Sequence, residues 1–183
     1  MISKTKAFVK EKLRVSEPGH DVLHAFRVHA NALKIAEGET CNKRVVELSA
    51  LLHDIADAKF NDGDETQGSE IARAFLQSIG LSENEIFDVI FVIENISFRK
   101  GKPVKMPPEL AVVQDADRLD AIGAMGIARA FSYGGFKCRP FYDKNVKPCT
   151  KESIDNPNTI NHFYEKLLLL KDLMNTKTGR GIA

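Results

Sequence analysis

The sequence predicts an all-α fold. Apolar residues recur at three and four positions through most of the chain, alternating strand-like runs are almost absent, and the breaks between periodic stretches carry helix start and stop signals. The predicted helices span 4–14, 21–36, 43–56, 65–79, 83–98, 109–131 and 159–174. The second shows one face of His24, Arg27, Val28, Asn31 and Ile35, and Gly38 falls where it should stop. The inward face of the third carries Val46, Ser49, Ala50 and His53. Gly80 closes the fourth, and Ser82-Glu83-Asn84-Glu85 opens the fifth as a capping box. Pro107-Pro108 precedes the sixth, which is apolar nearly all round and is therefore read as central. Residues 133–157, with their glycines, prolines and scattered charges, form the one long irregular segment, and it is expected to border any pocket.

A length of 183 residues suits a single domain, and 43% hydrophobic with 28% charged residues describes an ordinary globule. Lys plus Arg number 26 against 25 acidic residues, a net charge of +1, so no broad field advertises nucleic acid or an anionic membrane as partner. Any phosphate binding must be local. The longest aliphatic run, 167–170, falls far short of the roughly 20 residues of a spanning helix, and residues 1–12 lack an apolar signal region, which predicts a cytoplasmic protein. Cys41, Cys138 and Cys149 are too few and too scattered for a disulfide framework or a paired zinc motif.

Chemistry concentrates at a few polar residues on helix faces that otherwise read as apolar. On a helical projection Asp117 lies among Leu110, Val113, Ala121 and Ala124, where a lone carboxylate would cost several kcal/mol and needs a cation. That cation is either an arginine such as Arg27 or Arg73, or a metal. Asp115 projects the other way and has Arg118 three residues on, which accounts for it as an ion pair. His53, with Asp54 beside it, adjoins a carboxylate at a helix end, and His24 is the third candidate. Each histidine alone fits a packed core residue. Together, two imidazoles and two carboxylates from three helices make a mixed nitrogen and oxygen set for one divalent transition metal, with positions left for water and substrate.

Other signatures fail. His20-Asp21-Val22-Leu23-His24 differs from the zinc-protease helix because aspartate replaces the general-base glutamate and Gly19 stands at the helix start. His29 faces away from His24, and His162 fits pocket or solvent equally well. The acidic stretch 57–65 lacks the ligand rhythm of a calcium loop. Neither a phosphate-binding Gly-Lys-Ser/Thr loop nor a Gly-x-Ser-x-Gly elbow is present.

The order His24, then His53-Asp54, then Asp117 resembles the H…HD…D signature of the HD-domain phosphohydrolases, and its surroundings agree: His-Ala-Phe-Arg-Val at 24–28, Ala-Leu-Leu-His-Asp-Ile at 50–55 and Ala-Asp-Arg-Leu at 116–119. The longer phrases at 53–60, 114–121 and 162–167 are similar to one small bacterial branch, over roughly residues 20–175. The resemblance implies a helical HD-type bundle holding one divalent ion, manganese foremost, with magnesium, iron, cobalt or nickel as alternatives. It also implies hydrolysis of nucleoside triphosphates to monophosphate and pyrophosphate. Many members have glutamate three residues after the HD aspartate, where this chain has Asp57, one methylene shorter.

On that reading His24, His53, Asp54 and Asp117 are the metal ligands, and Asp57 steers or deprotonates the attacking water. Lys59 is expected to meet charge building on the phosphates, with Arg27 and Lys166 as further phosphate contacts, and Tyr133, Phe136 and Phe141 as candidates for base recognition. The expected partner is a small phosphorylated substrate such as a nucleotide, with a homodimer as the possible assembly. The rivals are a nucleoside monophosphate phosphatase using the same site, and a non-catalytic module that senses nucleotides.

Overall fold

The structure, a computed structural model, describes residues 1–14, 21–55, 67–97, 105–149 and 158–183. Among them the chain forms α1 (Ile2–Lys12), α2 (Val22–Ala36), α3 (Lys43–Leu52), α4 (Gln67–Ser78), α5 (Glu83–Asn95), α6 (Pro108–Asp120), α7 (Gly123–Phe136), α8 (Thr159–Glu165), a short 3₁₀ helix (Leu167–Leu173) and α9 (Lys177–Ile182), with no strand. The all-α class holds.

Local chemistry explains the helix starts that matter for function. The Asp21 side chain accepts the His24 backbone N–H at 2.8 Å and so begins α2 beside the histidine. Asn42 caps α3 by accepting from Arg44 and Val45. Ser82 and Glu85 form the reciprocal capping box of α5, and Pro108 occupies the first turn of α6, where its missing N–H costs nothing. Gly80 takes φ +82° two residues after α4, a backbone that favours glycine.

Apolar burial then fixes the arrangement. Val28, Ala32 and Ile35 of α2, Leu48, Leu51 and Leu52 of α3, Ile86 and Val89 of α5, and Leu110, Val112 and Val113 of α6 are all closed to solvent. Each large side chain contributes about 1.5–3 kcal/mol on burial. The helix α6 is central as expected, packing against α2, α3, α5, α7 and α9. Its neighbours α2 and α3 also pack on each other, so three helices meet along one seam.

Four expectations need correction. The helix expected over 109–131 is two: α6 ends at Asp120, and α7 restarts at Gly123, whose φ of +63° turns the axis. Because α7 continues to Phe136, helix occupies the first residues of the segment read as irregular over 133–157. The helix expected over 159–174 breaks at Lys166, whose φ of −140° is not helical, and continues as the 3₁₀ turn. The helix α9 was not foreseen: its six residues include two glycines, too short and too permissive to show a period.

The fourth correction concerns the carboxylates of α6. Asp117 is 40% exposed at its side chain, whereas Asp115 and Asp120 are the buried ones, at 0% and 3%. Arg118 does meet Asp115, but at 3.5 Å. Shorter contacts arrive from sixty residues on: the Asn175 N–H at 2.8 Å, the Thr176 N–H at 2.7 Å and the Thr176 hydroxyl at 2.8 Å. Asp115 thereby anchors the chain leading into α9, and Arg118 donates to the Leu173 carbonyl alongside it.

Candidate metal centre

The seam between α2, α3 and α6 gathers the polar residues singled out in the sequence. His24 projects from the first turn of α2, His53 is the C-terminal capping residue of α3, Asp54 follows it, and Asp117 lies in the last turn of α6. One ligand atom each from His24, His53 and Asp117 lies within 4.8 Å of the others. Asp54 joins them: its Oδ2 is 3.3 Å from His24 Nε2 and 3.4 Å from His53 Nε2. Asp117 Oδ1 stands 3.5 Å from His24 Nε2. The imidazole rings meet edge to face, with centroids 5.3 Å apart.

Each imidazole is held from behind. His53 Nδ1 donates to the Ala50 carbonyl at 2.9 Å, one turn back on its own helix. His24 Nδ1 lies 2.7 Å from Asp120 Oδ2. With Nδ1 engaged, each Nε2 faces the carboxylates, and His53 Nε2 is a buried nitrogen with no hydrogen-bond partner among the described residues. A buried polar atom left so is costly unless something accepts its lone pair. Two imidazole nitrogens and two carboxylates around such an atom are the donor set of a divalent transition metal. The residues fit that ion.

The electrostatics agree. Burial opposes charge on His53, yet the Asp54 carboxylate beside it, with Asp117 and the Ala50 carbonyl, raises its pKa to about 9. For His24, burial is likewise outweighed by Asp120, Asp54 and Asp117, and its pKa is also raised. The cluster attracts positive charge strongly enough to overcome desolvation. Asp120 is held far below the usual carboxylate range: burial opposes this, and His24, Arg27 and Arg129 prevail.

The remaining predicted residues fall into two groups. Arg27 is spoken for on one edge, donating from Nε to Asp120 Oδ1 at 2.6 Å and from Nη2 to Oδ2 at 3.0 Å. Lys166 stands, partly buried, at the junction of α8 and the 3₁₀ helix. Asp57 and Lys59 lie outside the described residues, as does His20. Arg73 stands 4.0 Å from Glu83, away from the α6 carboxylates, and His29 packs against Glu47 at 3.3 Å. Phe141 lies edge-on to Phe131, while Tyr133 and Phe136 both carry the Lys137 ammonium over their rings.

Sequence reasoning missed Asp120 and Arg129. Asp120 is three residues after Asp117, and that spacing puts both on adjoining sides of one helix. The spacing was a usable signal. Arg129, which donates to Asp120 Oδ2 at 2.9 Å from beyond the Gly123 break, had none.

Comparison with known proteins gives the same picture from another direction. Residues 22–122 match the HD domain family, a span holding all four predicted ligands. The uncharacterized protein YpgQ of Bacillus subtilis (strain 168) is 39% identical over 97% of this chain and 82% of its own length. A crystal structure of an HD-superfamily hydrolase from Bacillus thuringiensis is 41% identical and superposes with a TM-score of 0.76, covering 99% of this chain and 86% of that one. The crystal structure of B. subtilis YpgQ in complex with ADP superposes at 0.78 with 35% identity, covering all of this chain and 87% of that one.

Proposed function

The chain belongs to the HD domain family, and from that premise we propose that it is a divalent-metal-dependent phosphohydrolase that cleaves nucleoside triphosphates to monophosphate and pyrophosphate. The observation that carries the reading is the convergence of His24, His53, Asp54 and Asp117 from three helices, with both Nε2 atoms turned to the same place. The ADP complex of YpgQ supports a nucleotide as the ligand class. The relative from Bacillus thuringiensis, an HD-superfamily hydrolase, supports hydrolysis.

A divalent ion on these four residues, manganese foremost, supplies positive charge that polarises a phosphoryl oxygen and acidifies water. The chain's own residues do the rest. His24 and His53 offer Nε2, while Asp120 and Ala50 fix the rings. Asp54 and Asp117 balance the ion's charge. Asp57 takes the proton of the attacking water, and Lys59 meets the negative charge that develops on the phosphates. Arg27 keeps its pairing with Asp120 and presents its remaining Nη1 edge to phosphate, and Lys166 is a further phosphate contact.

Elemental analysis of the purified protein, followed by a nucleotide panel with product identification, tests the proposal. Pyrophosphate released from a triphosphate supports it. Inorganic phosphate from a monophosphate makes the protein a phosphatase on the same site, and nucleotide binding without turnover under any divalent ion makes it a sensor. Asp117→Ala and His53→Ala should lose both metal and hydrolysis; full occupancy in either would remove that residue from the centre. Asp57→Asn should keep metal and lose turnover.

A further inference from the structure

Asp120 touches no predicted ligand except through one atom pair, yet its carboxylate ties that ligand, His24, to two arginines. Its Oδ1 receives Arg27 Nε at 2.6 Å, and its Oδ2 receives Arg27 Nη2 at 3.0 Å, Arg129 Nη1 at 2.9 Å and faces His24 Nδ1 at 2.7 Å. Arg129 also donates to the Asp120 backbone carbonyl at 3.2 Å. At 3% exposure, water has little access to replace any of these partners.

We infer that Asp120 is a positioning residue of the metal centre: it fixes the tautomer and ring plane of His24 so that Nε2 faces Asp54 and Asp117, and Arg27 and Arg129 fix Asp120 in turn. A carboxylate that already accepts from two guanidinium groups has only acceptor capacity to offer, so the hydrogen between it and His24 belongs to Nδ1. The lone pair is then left on Nε2, as a metal ligand requires. The two histidines differ in what this costs to disturb. His53 hangs from the backbone of its own helix, whereas the orientation of His24 depends on residues from α2, α6 and α7. Arg129 gives α7 a part in the centre although the helix supplies no ligand. A carbonyl would hold a ring equally still; a carboxylate also makes the imidazole a stronger donor to the ion, and the arginines hold that carboxylate in place.

The inference rests on the metal reading above, and two measurements separate their fates. The full chain, stripped with chelator, is titrated with Mn²⁺ while free ion is followed by electron paramagnetic resonance. One ion should bind wild type, and Asp120→Asn should weaken it about 10–100-fold. No binding to wild type sinks the metal reading and this inference with it. Equal affinity in Asp120→Asn, even with a lowered melting temperature, makes Asp120 a stability residue and overturns this inference alone. The second measurement needs no variant: in the Zn²⁺-loaded wild-type chain carrying ¹⁵N-histidine, His24 should show a protonated Nδ1 and a metal-bound Nε2. A His24 ring bound through Nδ1, or with its proton on Nε2, overturns the assignment whether or not Asp120→Asn folds.

Discussion

His53 and His24 each turn Nε2 toward the same two carboxylates, and this geometry sets a competition between protons and metal. Because the folded pKa of His53 is raised above the ordinary 6.5 to about 9, the folded chain binds a proton that the unfolded chain releases earlier. Its contribution to stability is therefore complete below pH 6.5 and is lost as pH rises through about 9. Chelator-stripped protein should melt at progressively lower temperature across that window in a pH series. Mn²⁺ must displace the same proton, so its affinity should rise over the window, and titration calorimetry in buffers of different ionisation heat should record proton release. A flat affinity between pH 6.5 and 9 would contradict the assignment of His53. That His24, His53, Asp54 and Asp117 come together was legible in the sequence because imidazoles and a carboxylate stood on or beside helix faces that otherwise read as apolar. The carboxylates of α6 were harder to rank, since a helical projection gives directions and not tertiary partners. Asp115 is buried because Asn175 and Thr176 come to it, which no local pattern encodes.

At the scale of elements, start signals were the most readable feature, since Ser82 and Pro108 act within one turn of themselves. The break between α6 and α7 was hidden because Leu119, Ala121, Ile122 and Ala124 continue an apolar pattern through it; the positive φ at Gly123 decides the matter. The link between α6 and α9 has a measurable weight. Asp115→Ala would leave the Asn175 and Thr176 N–H groups and the Arg118 guanidinium without their buried acceptor. Removing one partner of a buried charged network costs about 3 kcal/mol, and urea denaturation should show a loss of that size. Hydrogen exchange should localise the added opening to 174–183 and the last turn of α6. Because Asp117 lies two residues away, Mn²⁺ affinity should fall too.

For the whole molecule, the proposed ligands come from three helices, so an ion bound there would be a staple across the seam of α2, α3 and α6. At a free concentration one hundred times its dissociation constant, an ion that binds only the folded chain adds about 2.7 kcal/mol. For a chain of this length that corresponds to about 5–10 °C in melting temperature. Mn²⁺ should produce that rise in wild type and none in Asp117→Ala, as scanning fluorimetry would record. No helix among the described residues is long and apolar enough to cross a membrane.

The carboxylate of Asp115 also imposes an order in time. Its acceptors are filled by residues that are translated sixty positions later, which at roughly 20 residues per second takes about 3 s. Through that interval a nascent chain already has all four proposed ligands in hand while Asp115 of its central helix has Arg118 and still waits for its closer donors at 175 and 176. The ribosome thus delivers the closing clasp of this protein well after the residues proposed to grip the ion.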